Sequence, residues 1–289
     1  MKTSPPPSLS FGFPPLHLRW RGGQKGVRIA FLFCFLSLIS SVSFASYISM
    51  STSVESKVIN NDLLVTVFSQ NKGDEPAYSV QSEIKVGDKT IMGQKKDQLE
   101  INAVWLTQAQ FSLKEFKPGQ YPIIILQHYA DANQYPFSAP VMRSFNYRSG
   151  DRPADVFGKL SSATFWKDGE LELTIKNMSD ANINAKVSLV IPKELSGSKA
   201  RWEAQIGSRS EDKSKILISN FSALSGSSYQ VYAIVEYEIN GFHQAVVIPG
   251  MVKIEELNYF KQYKNVIFVA IGGLLLLFIA SQFVKNEKP

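Results

Sequence analysis

The chain has 289 residues, room for about two domains. Apolar residues make up 44% and charged residues 19%, a balance that excludes wholesale disorder. The formal net charge of +6 does not mark a nucleic-acid-binding face: Lys2, Arg19, Arg21, Lys25 and Arg28 all precede the first acidic residue, and without them bases and acids nearly balance.

The basic start leads into an apolar and serine run, Ile29 to Phe44, that ends Ser43-Phe44-Ala45 before Ser46. A basic segment, a short apolar run and a small-x-small end predict a secretory signal peptide over residues 1–45. Prolines at 5–7 and 14–15 add nothing that export needs, and Val27 would serve as a compact start, so residues 1–26 read as an over-extended gene start. The single cysteine, Cys34, lies in this run, so the processed chain is expected to hold no thiol, disulfide or cysteine metal site. Export without disulfides points to a bacterial protein.

Residues 53–256 read as short alternating strands between turn signals. The two halves repeat. At an offset of 108, Asn60-Asn61 falls on Asp168-Gly169, two pairs suited to tight turns, and Val65, Thr66 and Val67 fall on Leu173, Thr174 and Ile175. Tyr121 likewise falls on Tyr229 and Tyr129 on Tyr237. The turn-rich Ser149 to Pro153 separates a first unit over 53–149 from a second over 150–256. In the second unit Leu171, Leu173 and Ile175 alternate with polar neighbours, as do Ala185, Val187 and Leu189. One face in and one face out predicts antiparallel sandwiches of about seven strands each. Tyr121 and Tyr229 each follow an apolar residue and a turn, which suggests the tyrosine corner of Ig-like sandwiches; Ile123 and Val231 stand where antibody domains carry a cysteine.

The element Leu64 to Ala77, an extended run followed by Asn71, Gly73 and Ala77, resembles the opening of bacterial CARDB-like domains and of Ig-like modules on bacterial surface proteins. Gly119 to Pro122 followed by Tyr129 to Asn133 is similar to their last hairpin, and Asn177 to Ala181 is the diverged second copy of the first motif. The resemblance implies a seven-stranded sandwich with a binding or spacer role and no catalytic residues.

Beyond a juxtamembrane segment at 257–265, Val266 to Val284 is an uncharged apolar run of about 28 Å at 1.5 Å per residue, which predicts a transmembrane helix. Tyr259, Phe260 and Tyr263 precede it as an aromatic belt. With the signal peptide, this gives a single-pass membrane protein whose N-terminal ectodomain lies outside the cytoplasm and whose 285–289 tail lies inside. The expected fold class is therefore all-β, two tandem Ig-like sandwiches plus one C-terminal transmembrane helix.

Catalytic patterns are missing. There is no phosphate-binding glycine loop, no nucleophile elbow and no H-E-x-x-H. His128 and His243 sit at non-equivalent places in the repeat, so no enzyme activity, cofactor or metal site is expected. Asp131 and Asn133 crowd one hairpin tip and suit turn formation better than calcium binding. Tyr135 and Phe137 follow that tip; Asn240 and Phe242 flank the equivalent tip at Gly241. Loops carry function on sandwiches, so these six are the candidate interaction residues. The expected function is a non-enzymatic membrane-anchored extracytoplasmic protein that binds a protein partner in or near the same membrane, or acts as an envelope scaffold, with no nucleic-acid partner. The alternative is a carbohydrate-binding module for a cell-wall or exported polysaccharide, with Trp105, Trp166 and Trp202 as its stacking rings.

Overall fold

The computed structural model describes residues 47–150, 155–256 and 259–284, the last with side chains over 263–277. The expected signal peptide at 1–45, the over-extension at 1–26, residues 151–153 of the 149–153 linker and the 285–289 tail lie outside the described residues, as does part of the juxtamembrane segment at 257–265.

The first half contains β1 (Met50–Ile59), β2 (Asp62–Asn71), β3 (Ala77–Val86), β4 (Lys89–Met92), β5 (Lys96–Leu99), β6 (Val104–Ser112), β7 (Gly119–Ala130) and β8 (Pro136–Tyr147). The second contains β9 (Val156–Leu160), β10 (Ala163–Phe165), β11 (Asp168–Asn177), β12 (Ile183–Val190), β13 (Leu195–Gly197), β14 (Arg201–Ile206), β15 (Glu211–Asn220), β16 (Ser228–Ile239) and β17 (Phe242–Ile254). The chain is mostly β, with sandwich-like sheets. The strand count exceeds seven per half because edges are broken into short pieces: β4 and β5 share one edge of β3, interrupted at Gly93.

A three-stranded sheet, β1-β2-β6, covers the first half and a four-stranded sheet, β13-β15-β11-β9, covers the second. The facing layers join into one ten-stranded sheet along β14-β12-β16-β17-β7-β3-β4, with β8 on β7. Alternation builds the cores. Leu63, Val65 and Val67 of β2 meet Ile123 and Ile125 of β7 in one core; Leu171, Leu173 and Ile175 of β11 meet Val231, Ala233 and Val235 of β16 in the other. Fully burying each of these Val, Leu and Ile side chains stabilises by roughly 1.5–3 kcal/mol.

The repeat is anchored by two buried asparagines. Asn71 ends β2; its Nδ2 donates to the Glu75 and Leu99 carbonyls, and its Oδ1 accepts from Gly73 N. Asn177 ends β11 and does the same with Ala181 and Gly207 carbonyls and Ser179 N. The tight-turn pairs differ between halves. Asn60-Asn61 joins β1 to β2, but Asp168-Gly169 opens β11, and a Cβ on Gly169 would strike the Phe165 ring.

The last element, α1 (Tyr259–Val284), is a helix. Among the described residues, no helix is long and apolar enough to cross a membrane. This corrects the expected transmembrane helix over 266–284, and with it the single-pass placement of an outer ectodomain and inner tail.

Candidate functional site

The surface that gathers the most chemistry is the seam between the two sandwiches. One end is built on the hairpin of β16 and β17. Asn240 and Gly241 have φ of 51° and 80°, the two positive values that a two-residue type I′ loop demands. Just after this loop, His243 pairs in parallel with Gly119 at the start of β7, and its N–H donates to the Pro118 carbonyl at 3.0 Å. A Cβ on Gly119 would collide with the His243 carbonyl, so only glycine permits this approach. The His243 ring lies flat on Tyr121, centroids 4.1 Å apart at 5°. Its Nε2 is buried without a hydrogen bond, with Glu236 Oε1 at 3.3 Å in ion-pair reach. Alongside, Lys117 Nζ reaches both oxygens of Glu238 at 2.7 and 2.8 Å, which holds that carboxyl below its usual range.

Tyr121 organises this end. Its hydroxyl donates to the Lys117 carbonyl at 2.9 Å, four residues back, the geometry of a tyrosine corner. Phe116 meets the ring edge-on at 4.8 Å and Phe145 stacks at 5.8 Å. Burial pushes the phenol up to about 12. In the second half, the Tyr229 hydroxyl accepts from Leu224 N at 3.2 Å, and burial raises its pKa.

The other end is built on the hairpin of β7 and β8. Asp131 shapes its tip: Oδ1 accepts from Asn133 N at 2.9 Å and Tyr135 N at 2.8 Å, an Asx turn that uses the carboxylate structurally. Asn133 is exposed. The Tyr135 hydroxyl donates to the Ser222 carbonyl of the second half, and Phe137 packs between Tyr135 and Tyr129. Sequence patterning missed the strongest contact here. Glu194, 2% exposed, accepts from Ser138 N at 2.8 Å and from Ser138 Oγ at 2.7 Å. Ser138 Oγ in turn accepts from Lys193 N. The only sequence signal for it is the Pro192-Lys193-Glu194-Leu195 turn beside an apolar strand.

The six candidate interaction residues thus fall at two separate places. Asp131, Asn133, Tyr135 and Phe137 stand at one end of the seam, while Asn240 and the half-buried Phe242 stand at the other. Between the ends lies an open cleft of about 1310 Å³. The outer faces of β3 and β7 supply Lys85 beside Ile124 and Glu83 beside Leu126. The outer faces of β14, β12 and β16 supply the row Glu203, Lys186 and Glu236. The cleft therefore offers both signs of charge above an apolar floor.

The three tryptophans do not form one surface. Trp105 packs on a small cluster with Val80 and Leu99, while Trp202 packs against the core of the second half. Trp166 follows β10, and its carbonyl accepts from Asn220 Nδ2. His128 is held by Glu83 at 2.9 Å. Asn177 heads a glycosylation sequon, but its amide is buried among carbonyls. Among the described residues no cluster of His, Cys, Asp or Glu could hold a metal ion.

No family model and no curated protein sequence matches this chain. Among solved structures it is similar to native Escherichia coli alpha-2-macroglobulin, at 10% identity and a TM-score of 0.31 over 72% of this chain, and it spans only 17% of that chain. It is similar to the ASH/PapD-like domain 7 of human CEP192, at 11% identity and TM-score 0.29, covering 39% of this chain and 96% of that one. The YadV chaperone is similar at 11% identity and TM-score 0.26, covering 71% of this chain and 100% of that one. The sheet layering described above gives the chain its Ig-like β-sandwich character.

Proposed function

We propose that this chain is a non-enzymatic binding protein that uses the cleft between its two Ig-like sandwiches to hold a protein partner. The observation that carries this reading is the cleft itself: about 1310 Å³, walled by strand faces from both halves and held at both ends by specific contacts. Strand faces hold their side chains in fixed rows, and a site on such elements is better ordered than one on loops. Mixed charges over Ile124 and Leu126 suit an extended polypeptide with both polar and apolar side chains. A sugar ligand would call for exposed, coplanar rings; Tyr121 and Trp202 in the cleft are instead packed into their own halves. Kinship with CARDB-like modules belongs to the same proposal and rests on the Leu64 to Ala77 element.

The test is site-specific photo-crosslinking in cells of the source organism. A photoreactive residue at Arg201 should trap a discrete protein, and one at Lys213, outside the cleft, should not. Binding of the purified partner should then weaken at least about tenfold in Lys186→Glu/Arg201→Glu, since charges at a desolvated contact are worth more than about 1.4 kcal/mol. Equal adducts from both positions, or retention on a polysaccharide matrix that the double variant abolishes, would reject the reading.

A further inference from the structure

The strand β1 is an open edge. It pairs with β2 from Met50 to Ile59 without interruption and has no other strand partner among the described residues. Half of its backbone N–H and C=O groups therefore face away from the sheet. It has ten residues, no proline, no glycine and no bulge, so its outer backbone groups are regularly spaced for pairing, and the only blunting device it carries is the charge of Glu55 and Lys57. Its inward-facing side is covered unevenly: Val54 is buried and Val58 packs against the core, while Ser56 between them is exposed.

Charge decides which strand fits. Glu55 and Lys57 are exposed on the outer face, and neither makes an ion pair with a described residue. Their neighbours across β2 are Thr66 and Leu64, so the sheet itself does not neutralise them. Placed on either side of Ser56, the two charges are complementary to themselves under a two-fold rotation. We propose that β1 pairs antiparallel with β1 of a second copy of this chain, about a two-fold axis at Ser56. In this register each Glu55 faces the other copy's Lys57, Val54 faces Val58 on the core side, and Ser53 faces Ile59. A slip by one residue would turn the inward valines out, and a slip by two would oppose unlike groups less well, so the register is specified. The pairing joins two three-stranded sheets into one of six and removes the open edge.

Sedimentation of the full chain across the micromolar range should show a monomer–dimer equilibrium that weakens as salt rises. Glu55→Lys alone, or Lys57→Glu alone, places like charges opposite each other twice per dimer and should raise the dimer dissociation constant by about tenfold or more. The double variant Glu55→Lys/Lys57→Glu should restore the wild-type value, and a mixture of the two single variants should form heterodimers. The restored double variant and the mixture exclude misfolding as the cause. A wild-type chain that stays monomeric throughout overturns the proposal. So does a dimer indifferent to the single reversals, which would place the interface on another edge, or a double variant as weak as its parents.

Discussion

Single side chains hold the corners of this molecule. Removing the hydroxyl in Tyr121→Phe deletes the bond to the Lys117 carbonyl, and Tyr229→Phe deletes the acceptor for Leu224 N; each should cost about 1 kcal/mol in denaturant unfolding. No change in either variant would leave the corners without energetic weight. The asparagine clamps matter more. Asn71→Ala or Asn177→Ala leaves buried carbonyls and an amide N–H unpaired, so each should destabilise by about 2–4 kcal/mol, well above the tyrosine variants. Tyr121 also sets a pH dependence. Its phenol titrates at about 12 in the fold, above the ordinary value near 10, so the unfolded chain loses the proton first. Stability contributed by the neutral phenol is full below about pH 10 and is lost as pH rises toward 12. An alkaline unfolding titration should therefore flatten in Tyr121→Phe.

Among elements, the two hairpins that form the seam are the informative ones. Gly119→Ala puts a methyl group into the His243 carbonyl, so β7 and β17 must part; about 1–3 kcal/mol of strain is expected. Its signature is local: amide exchange should quicken at His243, whose N–H loses the Pro118 carbonyl, and stay slow in β11. At the opposite end, Glu194→Ala leaves Ser138 N and Oγ without an acceptor, whereas Glu194→Gln keeps the acceptor oxygen for one of them. The alanine variant should lose about 2–3 kcal/mol and the glutamine variant clearly less. Equal losses would mean that charge, rather than hydrogen bonding, holds this contact.

At the scale of the whole molecule, both ends of the seam tie the halves together, so heat unfolding should be a single transition. Combining Gly119→Ala with Glu194→Ala releases both ends and should split it into two, each half keeping its own core. The alternation of Leu171, Leu173 and Ile175, or of Tyr229, Val231 and Ala233, was legible because a strand's period of two is local and its burial follows directly. The same holds for the Asn240-Gly241 loop, where backbone conformation is dictated by two adjacent residues. The tail was not legible in this way: an apolar run at 266–284 suggests a span, but crossing depends on the length of apolar helix, and no described helix meets it. Nor was the seam. Ser138 and Glu194 are 56 residues apart, and nothing local distinguishes that glutamate from any exposed one. By itself, then, the sequence determined the alternation that turns residues inward and the Asn240-Gly241 turn, because each depends on neighbours within a few positions, while the turn expected at Asp168-Gly169 opens β11 instead. Only the tertiary structure decided that both hairpins join the halves, that Glu194 is buried and that β1 has no second strand partner among the described residues, because those are set by contacts between distant segments.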